Sequence, residues 1–281
     1  MKELSNTERE DQIEELLEEV ILSDSHRGMD VIRKHLPDHT LLDAAGEILS
    51  WKRGRVLLTT GFYVRGFPET DGPVGTFVLA RALQILSFSP LVLTDGGCED
   101  YFAGTGIKAV TEAEDVTGFS GLISIERCGR CADGDYKNMR SVSIKDHTSP
   151  FDDLFLLAEK RGIPTIGIGD GGNEIGMGNV RDVVQNKLHL DPCVVPCDHL
   201  IAASVSNWGA YGLAAALSVF TKKTLLPKEG EAERFLEHTV FLGSIDGVTG
   251  KGTPTVDGRE PGREERILSG LRDAIRQCED L

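Results

Sequence analysis

The chain has 281 residues, 40% of them apolar and 27% charged, with six cysteines and a formal net charge of −15. This balance excludes a disordered or fibrous chain and a disulfide-stapled scaffold. It argues against nucleic acid and anionic membranes, which are bound through clustered Lys and Arg, and leaves a small molecule as the expected partner. No apolar run reaches the roughly 20 residues that span a bilayer, and the opening MKELSNTEREDQIEELLEEV is acidic rather than a basic leader, so a cytoplasmic protein is expected.

Residues 8–22 carry Ile13, Leu16, Leu17, Val20 and Ile21 at helical spacing, with Glu on the remaining face. Leu41, Leu42, Ala45, Ile48 and Leu49 predict a second helix over 40–50, and the two form a helical preface over 1–54. From Arg55 onward short apolar runs at 56–60, 91–94, 122–125, 165–168 and 200–203 alternate with helical stretches at 74–87, 151–161, 174–187 and 207–220. Each run is too short for a buried helix and reads as a strand covered on both faces. The alternation predicts an α/β fold: a doubly wound, largely parallel sheet with helices on both faces. A helix at 229–241, an edge strand over 253–256 and an amphipathic helix at 263–277 complete the chain. No repeat or linker interrupts it, which predicts one α/β domain over 1–281.

Open α/β sheets bind ligands beyond the carboxyl ends of their strands. The segments there are TTGFYVRGFPETDGPVG (59–75), TDGGCED (94–100), ERCGRCADGDYKNMR (126–140), GDGGNEIGMG (169–178) and SVSNWGAYG (204–212). Glycine beside Asp, Asn or Glu recurs in nearly every one. One Gly-Asp turn is commonplace, but five at one sheet edge describe a site. In GDGGNEIGMG, Gly169, Gly171 and Gly172 permit close backbone approach, and a following helix would offer free N–H groups to an anion. Asp170 and Glu174 in that loop are candidates for acid, base or cation ligand, although Asn173 as helix N-cap with Glu174 on the helix dipole explains part of the pattern. Asp71 before Pro73 reads either as a cap or as a site residue. An anionic substrate needs a local cation on so acidic a chain, and Arg127 is preferred to Arg140. Cys128, Cys131, Cys193 and Cys197 admit a zinc reading that their second spacing disfavours, and buried thiols are expected. There is no P-loop, G-x-G-x-x-G after the first strand, G-x-S-x-G elbow or H-E-x-x-H.

The segments ETDGPVGTFVLARAL (69–83), SIERCGRCADGDYKNMR (124–140), DDLFLLAEKRGIPTIGIGDGGNEIGMG (152–178) and SVSNWGAYGLAAAL (204–217) resemble the C-terminal domain of D-glutamate cyclases, with weaker likeness at DGVTG (246–250) and VDG (256–258). The resemblance implies a lyase that converts D-glutamate, a small anionic substrate, to 5-oxo-D-proline with loss of water. Within it Asp170, Glu174 and Glu126 are the catalytic candidates. Arg127, Asp71, Ser206 and Asn207 would bind substrate, and the N–H groups of Gly171, Gly172 and Asn173 would hold the oxyanion. Alternatively Asp71, Asp170 and Asp246 gather Mg²⁺ or Mn²⁺. Longer members carry a preceding hydro-lyase-like domain, so a partner subunit of that kind or a homo-oligomer is admitted. The competing reading is a non-catalytic binding module for an acidic amino acid or phosphorylated metabolite.

Overall fold

The computed structural model describes residues 5–113, 115–279 and 281. β1 (Arg55–Gly61) is followed by a small antiparallel hairpin of β2 (Tyr63–Val64) and β3 (Phe67–Pro68). The main sheet continues with β4 (Ser89–Leu93), β5 (Lys108–Val110), β6 (Phe119–Arg127), β7 (Thr165–Gly169) and β8 (His199–Ala202). Its order is β5-β4-β1-β6-β7-β8, and every neighbouring pair is parallel. The chain winds outward from β1 to β5, then returns to β6 on the other side of β1 and winds outward again. That reversal opens a crevice at the carboxyl ends of β1 and β6, where sheets of this kind bind their ligands.

Alternation along each strand produces two cores. Val56, Leu58, Val92, Ile123 and Ile125 enter one, while Leu57, Leu91, Leu93 and Leu122 enter the other. The first core is covered by α1 (Asn6–Ile21), α3 (Thr40–Ser50), α4 (Pro73–Ile85), α7 (Ser206–Thr221), α8 (Glu231–Phe241) and α9 (Arg263–Glu279). The second is covered by α2 (Met29–Arg33) and α5 (Asp152–Arg161), with an irregular segment over 175–195. The preface is therefore part of the core rather than an appendage. α7 is buried from Ser206 to Ser218, which accounts for a sequence with no polar face.

Two expectations fail, each for a visible reason. The helix expected over 174–187 is a 3₁₀ turn at Met177–Val180, a short α6 (Arg181–Val183) and a π turn at Val184–Leu188. Glu174 instead turns back, its carboxylate accepting from the N–H of Gly172 at 2.7 Å, while the N–H of Ile175 bonds the carbonyl of Arg127. No regular helix N-terminus follows the glycine loop. The edge strand expected over 253–256 is also not a strand, because Asp246 collects the N–H groups of Val248, Thr249 and Gly258 and the Thr255 hydroxyl and curls the segment into turns. The edge strand lies at β5, whose three residues are too few for a periodic signal. Among the described residues no helix is long and apolar enough to cross a membrane.

Candidate active site

Three carboxylates converge at the crevice. Asp71 precedes α4, Glu126 lies near the end of β6, and Asp170 follows β7; each offers an oxygen, and the three oxygens lie within 4.8 Å of one another. All are buried. Glu126 is aimed there by an irregularity: Thr60 pairs with Ile125 and Gly61 with Arg127, so Glu126 bulges out of register with φ +47°. A left-handed, non-glycine residue held at a strand end is the kind of stored strain that accompanies functional sites. The Ser206 hydroxyl donates to its carboxylate.

Asp71 is fixed by two helices at once. Its oxygens accept from the N–H groups of Ser206 at 2.9 Å and Asn207 at 2.8 Å, capping α7, while Asn207 Oδ1 accepts from Gly72 at 2.9 Å and Gly75 at 2.6 Å, capping α4. The two helix N-termini, each the positive end of a dipole, thus meet beside the carboxylates. Glycine is required for this approach. A Cβ on Gly72, at φ +95°, would lie 2.6 Å from the Thr60 hydroxyl, and one on Gly75 would lie 2.8 Å from the Asn207 Cα.

Arg27, from the loop between α1 and α2, places Nη1 2.7 Å from both oxygens of Asp170 and donates through Nη2 to Asp257. Burial opposes its charge, but Asp170, Asp257, Glu126 and Glu69 outweigh it and raise the guanidinium pKa further. Glu69 is a fourth buried carboxyl. Burial first, and then the neighbouring carboxylates, push Glu69, Asp71 and Glu126 well above the ordinary range; burial does the same for Asp170 against the pull of Arg27. The group carries more acid than Arg27 neutralises, so protons or a bound cation must balance the rest. Three hard oxygen donors at this spacing fit a divalent ion such as Mg²⁺ or Mn²⁺.

The family described as D-glutamate cyclase-like, C-terminal, matches residues 17–272. The chain belongs to this family. It is 38% identical to the human mitochondrial D-glutamate cyclase over 58% of its own length and 32% of that protein's, so it spans about a third of that relative. The structure of exonuclease RecJ bound to manganese covers 86% of this chain and 65% of its own at a TM-score of 0.39 and 13% identity, a likeness too weak to carry any argument.

In this cyclase-like chain the expected residues do not all meet. Asp71, Glu126, Ser206 and Asn207 share one hydrogen-bonded cluster, and Asp170 brings a carboxylate oxygen close to those of Asp71 and Glu126. Asp246 does not join the proposed metal set; its oxygens are committed to the turn at 246–258, and these bonds hold its pKa low although burial opposes it. The metal set the geometry offers is Asp71, Glu126 and Asp170. Arg127 is no free clamp: it pairs with Asp95, donates to the carbonyls of Gly61 and Ser149, and lies over the Phe151 ring. In the glycine loop the Gly172 N–H is taken by Glu174, so it is not free to hold an oxyanion, and Asn173 donates its side chain to the Lys137 carbonyl. Glu174 braces the loop, with burial raising its pKa against the hydrogen bonds that lower it. This chain's two cysteine pairs are outside the metal grouping found among the described residues, and burial raises the thiols, Cys131 to about 11 and Cys197 to about 12. A cleft of about 440 Å³ lies at the end of β1, lined by Gly61, Asp95, Lys145 and a stacked Tyr63–His147 pair with ring centroids 3.9 Å apart; none of the three carboxylates is part of its lining. Arg27, Glu69 and Asp257 were missed from sequence. Glu69 and Asp257 lie inside the ETDG and VDG segments, whereas Arg27 sits in a segment with no motif.

Proposed function

We propose that this chain closes D-glutamate to 5-oxo-D-proline with release of water, at the Asp71–Glu126–Asp170 group. The observation that carries the reading is three buried carboxyl groups, converging beside one arginine at the sheet's switch point, in a chain of this family. Ring closure forms a C–N bond between the amine and the distal carboxyl carbon and breaks one C–O bond. The ammonium gives up two protons, and the departing oxygen takes up two to leave as water. A carboxyl group whose pKa is raised by burial is matched to that transfer, because it can accept one proton and return it. Asp170 and Glu126 are the acid–base pair, and Glu69 is a buried proton reserve beside them. Arg27 turns from Asp170 to hold a substrate carboxylate, a change that a bidentate guanidinium makes with little loss. Alternatively a divalent ion held by Asp71, Glu126 and Asp170 would neutralise the distal carboxylate, an otherwise poor electrophile, and these three would then serve as ligands rather than as acid and base. Ser206 and Asn207 donate to Asp71 and Glu126 and hold them in place rather than touching substrate.

Incubation with D-glutamate, with Mn²⁺ and with EDTA, followed by NMR for 5-oxoproline, tests this. Product formed with the metal and lost in Asp170→Asn supports the reading. Thermal stabilisation by glutamate with no product in either condition overturns it in favour of the binding module.

A further inference from the structure

At the far end of α7 the electrostatics reverse. A cavity of about 480 Å³ lies between the end of α7, the loop after it and the last turns of α9, with Arg9 of α1 at its rim. Its lining includes Arg9, Lys222, Lys223, Arg272 and Arg276 against a single acid, Glu279, on a chain of net charge −15. Arg272 and Arg276 are paired with Glu265 and Asp273; among the described residues Arg9, Lys222 and Lys223 form no ion pair. Lys222 keeps its place at φ +53°, a backbone conformation in which glycine is the unstrained choice. The floor is apolar, built from Val219, Leu225, Leu226 and Ile275. The carboxylate group sits at Ser206, and the 16 residues of α7 put about 20 Å between the two.

We propose that this cavity binds a small phosphorylated organic anion of nucleotide size, separately from the carboxylate site. Several cations with no ion pair among the described residues suit a group carrying at least two negative charges, which a single carboxylate does not. The apolar floor asks for an organic body as well, which inorganic phosphate lacks, and the volume falls within the range of about 300–1,000 Å³ typical of small-molecule sites. The positive rim also concentrates such anions locally against the field of the whole chain.

The test is calorimetric titration of the full chain in EDTA, which keeps metal from the carboxylates, with ADP as probe and inorganic phosphate and adenosine as controls. ADP should bind with a Kd below about 1 mM, with each control at least about tenfold weaker. A variant carrying Arg9→Glu, Lys222→Glu and Lys223→Glu should lose binding by about tenfold or more while its melting temperature stays put. If that variant melts early, Lys222→Gln with Lys223→Gln replaces it and should weaken ADP by about threefold or more. Absence of ADP binding at 5 mM, binding that survives the charge changes, or phosphate binding as tightly as ADP would each overturn the proposal.

Discussion

Replacing Arg27 by Met removes the guanidinium that bonds Asp170 and Asp257 while keeping an unbranched apolar stem. Breaking a buried ion pair from one side costs about 3–5 kcal/mol, and Arg27 is a quarter exposed, which places the loss near the lower end. The loss is also capped, because a stranded carboxylate can take up a proton instead. The variant should therefore bind about one more proton than the wild type near neutral pH, and its deficit should change by up to about 1.4 kcal/mol per pH unit. The sign follows from the shift: without Arg27 the folded-state carboxyl pKa rises further, and stability is lost as pH rises through it. At pH 8 the melting temperature should fall by about 6–12 °C, and at pH 5 by less than half of that. Thermal melts at the two pH values in EDTA check this. An equal drop at both, or a drop under about 2 °C at pH 8, refutes the view that Arg27 balances this group.

The wild-type chain in EDTA should lose stability as pH rises above the ordinary carboxylate range, because burial raises Glu69, Asp71, Glu126 and Asp170, and Mn²⁺ should flatten that profile by replacing protons; melts from pH 5 to 8.5 with and without the ion measure it. Glu14, whose carboxylate accepts from the N–H groups of Leu41 and Leu42, is pushed from 4.5 up to about 7 by burial, so its stabilising share is lost between those values. Glu14→Gln should thus gain on the wild type by up to about 3 kcal/mol across that window in urea titrations. Gly72→Ala should destabilise by about 2–4 kcal/mol in the same assay, since it adds both a positive-φ strain and an overlap with Thr60. Asp170→Asn should cut D-glutamate turnover by roughly 10² to 10⁴ while shifting the melting temperature by only a few degrees.

The sheet was legible because its strands are long enough to show unbroken apolar runs between glycine loops, and the loops marked the edge where Asp71, Glu126 and Asp170 converge. β5 escaped because KAV is three residues, and α2 because MDVIR makes little more than one turn. The glycine-loop helix was misread for a different reason: Asn and Glu before an apolar stretch fit a helix cap, but Glu174 finds a better use closing its own loop. Asp246 was misread for a related reason, since a D-G-x-T-G turn and a metal-binding carboxylate look the same in sequence. Arg27 carries no local signal at all. Its role exists only through partners 143 and 230 residues away.

That separation has a consequence for how the molecule is made. The residues of the carboxylate group come from positions 27, 69, 71, 126, 170 and 257, so nearly the whole chain must be in place before the group is whole. Local elements can fold early, but contacts that close such long loops form late. A nascent or truncated chain with intact strands therefore carries only a fragment of the site, with acidic side chains still solvated and harmless. The crowding of negative charge is complete only when Asp257 and Arg27 stand beside Asp170. A proteolytic cut between α1 and α2 falls in the segment that carries Arg27, and should free that cation from its partners.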